Sequence, residues 1–311
     1  MQKHRRWICA ALSLAVVLGL AGWARGWFYK PTETTVRKLA PGVYFRKTAN
    51  EPKFIGCNQG WVIFKDFVLV IDANFPNQAE ELIKEIRKTT DKPIRYVFDT
   101  HYHGDHADGN VIFEKHGGIP VASENSKRLF ETKGIAGFRQ SRKTKPDEYG
   151  KLEYRKPSLY FRRKLVIDDG TQRVELIHFG HAHTAGDAVA WLPKHGILFT
   201  GDAVLNGPFN YTGDSDTASW IRVLTELQKL PVKVVAPGHG EKSDKSLIAT
   251  QKRYFVELRQ TMQAMIDKGK TLAQIKQEIS LPFYKEWTGV DVKTRTENIE
   301  HVYKELTKGG K

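Results

Sequence analysis

Two apolar runs, Trp61–Phe64 and Phe67–Ile71, flank the polar pair Lys65-Asp66 and predict a hairpin with that pair as its turn. Val43–Phe45 has the same strand character. Residues 78–89 switch to helical spacing, with Leu82, Ile83 and Ile86 on one face. Ile94–Asp99 reads as a strand entered through Pro93, and residues 110–116 as a short helix. Strand patterns return at Lys164–Ile167, Val174–Phe179, Ala188–Leu192, Ile197–Thr200 and Val232–Ala236. A helix over residues 217–230 turns Trp220, Val223, Leu224 and Leu227 inward. From about residue 243 the chain is helical. Tyr254, Phe255, Leu258 and Met262 share a face, Gly269 ends that helix, and Thr271 caps the next. A last helix carries Ile299, Val302, Tyr303 and Leu306. Two stretches lack a clear period. Residues 25–40 read as a linker. Residues 123–163, rich in Lys, Arg, Tyr and Ser, read as a surface excursion able to act as a lid. Hairpins, then strands alternating with helices, then a helical tail describe a layered α/β fold. The expected domain spans residues 41–245, with a helical extension over 246–311.

Composition narrows the class. The chain has 311 residues, 40% of them apolar, enough for a sizeable core and unlike a disordered or fibrous protein. A single segment, Trp7–Trp23, is apolar enough to meet a bilayer. It is free of charge, follows Lys3, Arg5 and Arg6, and ends among the small residues Gly22 and Ala24. This pattern over residues 1–24 predicts a secretory signal peptide, with an uncleaved anchor as the alternative. The expected location is periplasmic or secreted, at the inner membrane if the segment is retained. Loss of the three basic residues takes the formal charge from +14 to +11. The basic residues are scattered and no nucleic-acid motif accompanies them, so the expected partner is a small molecule and not a nucleic acid. Cys9 leaves with the leader and Cys57 remains alone, which excludes an internal disulfide and a zinc site of paired cysteines.

The chemistry gathers where strands end. Thr100-His101-Tyr102-His103-Gly104-Asp105-His106 places three histidines and an aspartate within six residues, in a chain with eleven histidines. Imidazole and carboxylate are the common nitrogen and oxygen ligands of zinc. His101 and His103, at i and i+2 after a strand, can grip one ion, and Asp105 and His106 a second. Three further candidates follow other strands: His181-Ala182-His183-Thr184, Gly201-Asp202 and Gly238-His239-Gly240.

Together these segments resemble the metallo-β-lactamase fold superfamily over roughly residues 40–245. Asp72 in VLVIDA, HYHGDH, HAHTAGD, FTGDAV and PGHG match its five motifs in order. The resemblance implies an αββα sandwich with metals at one edge and a C-terminal helical extension. It implies that His101, His103 and His183 hold one ion, that Asp105, His106 and His239 hold a second, and that Asp202 bridges both. His183 is preferred over His181 for its Thr184 and Asp187 neighbours, and Asp72 buttresses the metal loop. One subgroup of lactamases has a cysteine where Asp202 stands, so the set is more similar to glyoxalase II, lactonases and an exported lactamase-like subgroup. The implied activity is hydrolysis of an ester, thioester, lactone or amide, β-lactams included. The nucleophile would be a hydroxide bridging two zinc ions and oriented by Asp105. Nitrogen and oxygen ligands also suit iron and manganese. The alternatives are an iron enzyme of the persulfide dioxygenase type and a non-catalytic accessory factor of quinoprotein oxidation. After Asp202, Asn206, Asn210 and Tyr211 are candidate donors to the substrate's oxyanion, with an ordinary turn as the plain reading.

Overall fold

The computed structural model describes residues 33–51, 54–207, 211–284 and 292–308. The expected leader and Asn210 lie outside the described residues. Among the described residues, no helix is long and apolar enough to cross a membrane.

The first half of the chain builds one sheet. Strands β1 (Thr35–Ala40) and β2 (Val43–Lys47) are followed by a small separate hairpin, β3 (Asn50–Glu51) with β4 (Phe54–Ile55). Strands β5 (Gln59–Ile63) and β6 (Val68–Ile71) form the hairpin that the sequence predicts around Lys65-Asp66. Helix α1 (Pro76–Arg87) crosses to β7 (Ile94–Phe98), and α2 (Gly104–Ala107) and α3 (Asn110–Lys115) cross to β8 (Ile119–Ser123). The helical turn α4 (Lys127–Leu129), a π-helical turn at Phe130–Gly134, α5 (Ile135–Thr144) and α6 (Pro146–Tyr149) then lead to β9 (Leu159–Phe161). The seven strands lie in the order β1-β2-β5-β6-β7-β8-β9, and the pairs from β6 to β9 are parallel.

The second half repeats the scheme. Strands β10 (Lys164–Asp168), β11 (Arg173–Ile177), β12 (Val189–Leu192) and β13 (Ile197–Phe199) form an antiparallel meander. Helix α7 (Thr217–Leu227) then brings β14 (Val234–Ala236) alongside β13 in parallel. Helices α8 (Ser246–Asp267), α9 (Leu272–Glu278) and α10 (Val292–Lys308) close the chain. Thr271 caps α9 through a reciprocal box with Gln274.

Alternation along the strands explains the layers. In β6, Leu69 and Ile71 face the other sheet; with Phe45 and Phe98 of their own sheet they share a core with Leu176, Leu192 and Phe199 of the other. Val68 and Val70 face the opposite way, onto Leu82, Ile83 and Ile86 of α1 and Phe113 of α3. A strand buried on both faces reads as a continuous apolar run, which VLVI does. The outer face of the second sheet carries Trp191, Leu198 and Val235 against Trp220 and Leu224 of α7 and Phe255, Leu258 and Met262 of α8. Helix, sheet, sheet and helix are thus the four layers. The C-terminal helices share this last core through Ile275, Ile299 and Val302.

Two expectations change. Residues 35–40 are not linker: they form β1, the edge strand, paired to β2. Its exposed residues Val36, Arg37 and Lys38 gave no alternation to read. Residues 123–163 are not a surface excursion either. They bury Phe130, Phe138 and Tyr149 and supply the seventh strand. Helical pieces of three to ten residues, interrupted by a π-turn, are too short to print a 3.6-residue period.

Trp220 is fully buried and its indole N–H donates to the Ala203 carbonyl at 2.8 Å. Trp220→Ala should cost about 3–5 kcal/mol of stability, read as a shifted denaturant midpoint. A change under about 1 kcal/mol would mean that this layer is not cooperative with the rest.

Candidate metal centre

Parallel pairing brings the polar motifs to one edge. Strands β6 and β7 run together, so Asp72 and Thr100 emerge side by side; β13 and β14 do the same for Asp202 and Pro237-Gly238-His239. Loops at the carboxyl ends of parallel strands are the natural place for a site. Asp72 is held with φ of 61°, a left-handed conformation that few non-glycine residues adopt. Its carboxylate accepts from the Thr100 N–H at 2.8 Å and lies 3.0 Å from His106 Nδ1. His103 starts α2, whose first turn carries Asp105 and His106. Gly238 lies so close to Asp202 that a β-carbon there would come within 2.1 Å of Oδ1. Asn58 pins the same loop, donating to the Pro237 and Gly240 carbonyls at 2.9 and 2.8 Å.

Seven side chains meet at this edge. His101, His103 and His183 form one group, and Asp105, His106 and His239 another, each with its donor atoms within 4.8 Å of one another. The closest pair in the first group is His183 Nε2 and His103 Nδ1, 3.0 Å apart. In the second, His239 Nε2 stands 3.2 Å and His106 Nε2 3.6 Å from Asp105 Oδ2. Asp202 lies between the groups. Its Oδ2 is 3.6 Å from His183 Nε2 and 3.5 Å from His239 Nε2, and its Oδ1 is 3.2 Å from His106 Nε2. Two ligands of one tetrahedral zinc stand about 3.3 Å apart, which these spacings match.

The outward nitrogens fix which ring atom faces inward. His183 Nδ1 donates to the Tyr211 carbonyl at 3.0 Å. His103 Nε2 meets Asp214 Oδ2 at 3.1 Å, and His106 Nδ1 meets Asp72. His101 Nδ1 lies 3.2 Å from Thr100 Oγ1. Each contact holds one nitrogen and turns the other, with its lone pair, toward the cluster. The buried atoms His101 Nε2, His106 Nε2 and Asp202 Oδ1 make no hydrogen bond of good geometry. Buried polar atoms without partners are costly, so their shared direction suits a cation between them. The donor set of five imidazoles and two carboxylates suits divalent metal ions.

Burial sets the protonation. Only partly opposed by Asp202, it pushes the His183 imidazole down to about 4. Burial and the crowding of His106 and His103 push His101 well down too. His101 and His183 are therefore neutral and ready to ligate at pH 7. At the second group, burial works against charge but loses to the neighbours. Asp202 and Asp105 raise His239 to about 9, while His239 and His106 hold Asp202 well below the usual carboxylate range. Protons there supply the positive charge that a bound cation would supply in their place.

The other candidates fall outside the cluster. His181 Nε2 bonds the Asp214 carbonyl at 2.8 Å. Cys57 is fully buried behind the second group, beside Asp72 and His106. Asn206 gives an amide N–H to the Glu241 carbonyl at 2.7 Å. Tyr211 stays at the mouth, its ring 6.2 Å from His103 and 6.1 Å from His183. Sequence reasoning missed Asp214, which also accepts from the Tyr102 hydroxyl and from Lys133. No motif surrounds Asp214, and its partners come from 81 to 112 residues away along the chain.

His183→Ala should lose bound metal while His181→Ala keeps it, measured as ions per chain; the opposite result would mean that the wrong histidine faces inward. Asp72→Asn keeps the shape but loses the anionic acceptor for His106. It should weaken the second ion roughly 10–100-fold in competition with a chelating dye, and unchanged affinity would show that Asp72 does not orient His106.

Comparison with known proteins agrees with this fold. The sequence profile of the Metallo-beta-lactamase superfamily matches residues 53–239. Metallo-beta-lactamase IND-1 of Chryseobacterium indologenes is 25% identical over 196 residues, which are 61% of this chain and 74% of that protein. A type 2 metallo-beta-lactamase of Elizabethkingia meningoseptica is 23% identical over 80% of this chain and 93% of its own length. The solved structure of a metallo-beta-lactamase from Pontibacter korlensis superposes with a TM-score of 0.61 at 24% identity, covering 72% of this chain and 99% of that one. With the profile spanning more than half of its residues, the chain belongs to the metallo-beta-lactamase superfamily.

Proposed function

We propose that this protein is a dinuclear zinc hydrolase. The observation that carries the reading is the convergence of seven ligand-type side chains at one sheet edge with their lone pairs turned inward. In this reading His101, His103 and His183 hold one ion and Asp105, His106 and His239 the other. Asp202 serves both, since its Oδ2 is almost equidistant from the two groups. When bound, two zinc ions supply a hydroxide near neutral pH and a Lewis acid for a scissile carbonyl. The chain's part is to hold this geometry. Tyr211 and Asp214 lock the rings of the first group, Asp72 locks His106, and Asp105 is placed to orient the attacking water. Tyr211, half exposed at the mouth, meets the substrate.

The substrate class is an ester, thioester, lactone or amide, with β-lactams first to be tested because the relatives named above are lactamases. The basic, uncharged and small-residue pattern of residues 1–24 supports export of the chain.

Elemental analysis of the purified protein, alongside hydrolysis of a chromogenic β-lactam, tests the reading. About two zinc ions per chain are expected, and about one iron ion would overturn it. Asp202→Ala should lose metal and hydrolysis together, because one residue serves both ions; full occupancy in that variant would refute the shared position.

A further inference from the structure

The loop from Tyr211 to Thr217 has the metal centre on one side and the C-terminal helix on the other. Toward the centre, the Tyr211 carbonyl holds His183, the Asp214 carboxylate holds His103 and the Asp214 carbonyl holds His181. Toward α10 the bonds are equally regular. Asn298 Oδ1 accepts from the Thr212 N–H at 3.0 Å and from its hydroxyl at 2.9 Å. His301 Nε2 meets the Ser215 carbonyl at 3.1 Å. Glu305 accepts from the Thr217 N–H at 2.9 Å and from its hydroxyl, and is itself held by Arg259 of α8 at 2.5 Å. Residues 211–216 form neither helix nor strand, so no ladder fixes their path. Thr212 and Thr217 are fully buried, and each gives its backbone N–H to a side chain of α10. A buried N–H that loses its acceptor is costly, so the helix fixes where the loop can lie.

We propose that α10 is a positioning element for the metal centre. Asn298, His301 and Glu305 set the loop, and the loop sets the rings of His103 and His183. The proposal rests on the dinuclear reading above. It gives a role to a helix that lies outside the residues matched by the family profile. The three side chains sit at i, i+3 and i+7, one stripe of the helix, which is the spacing that a single docking face needs. Ile299 and Val302, between them, pack into the core instead.

Cobalt(II) titration of the metal-free protein tests this, read by the visible spectrum of the first ion, its affinity, and the thermal midpoint of each variant. Asn298→Ala should weaken the first ion roughly tenfold and shift its bands. Asn298→Asp, which keeps an acceptor oxygen for Thr212, should return affinity close to the starting value. Val302→Ala loosens the same helix without touching the loop; it should lower the thermal midpoint and leave the spectrum and affinity alone. If Asn298→Ala does not fold, Glu305→Ala removes both acceptors at the other end of the loop and should weaken the first ion in the same direction. Unchanged affinity in both variants would overturn the proposal, as would equal weakening by Val302→Ala. A starting protein that takes up no ion would instead remove the dinuclear reading, and this proposal with it.

Discussion

Five imidazoles and two carboxylates lie largely buried at the edge of an apolar sandwich, where partners inside the protein must replace most of their water. This requirement governs the arrangement around the centre. The outward nitrogens are held by a carbonyl, two carboxylates and a hydroxyl, from Tyr211, Asp214, Asp72 and Thr100. The inward atoms face one another across spacings that a divalent cation spans. Without such a cation, the second group balances its carboxylates by keeping His239 protonated to about pH 9. Metal and proton are thus competitors for the same negative charge.

The sandwich supplies what this balance needs. Two sheets pressed together through Phe45, Ile71, Phe98 and Phe199 exclude water beneath the site. Parallel pairs at the centre of one sheet and the edge of the other deliver four of the loops at one edge. Asp72 joins these two demands. It ends a fully buried strand, takes a left-handed backbone conformation, and ties Thr100 and His106 together. A strained residue that persists inside a dense hydrogen-bond set belongs to the working part of a fold.

The outer layer has a share in the centre as well. Trp220 of α7 packs beneath His183, with ring centres 5.6 Å apart, and against Phe255 of α8. Through the 211–217 loop, α10 reaches His103 and His183 from the other side. The C-terminal helices are therefore continuous with the sandwich layers in packing and in hydrogen bonding.

The sequence by itself determined the elements whose signal is local. The hairpin at Lys65-Asp66, the α1 stripe, the Thr271 cap and the HxHxDH cluster all lie within a few residues of what defines them. Asp202 and His239 were legible too, because each follows a short apolar strand and neighbours a glycine. Only the tertiary structure decided the rest. It made residues 35–40 an edge strand, because an exposed edge has no buried face to print an alternation. It folded residues 123–163 into short helices and a seventh strand, whose order comes from contacts with β8 and Asp108 and not from periodicity. It brought in Asp214, since hydrogen-bond partners some hundred residues apart leave no mark on local spacing. Local pattern chose the pieces and most of the clustered side chains, and long-range hydrogen bonds chose which nitrogen of His103, His106 and His183 faces the cluster.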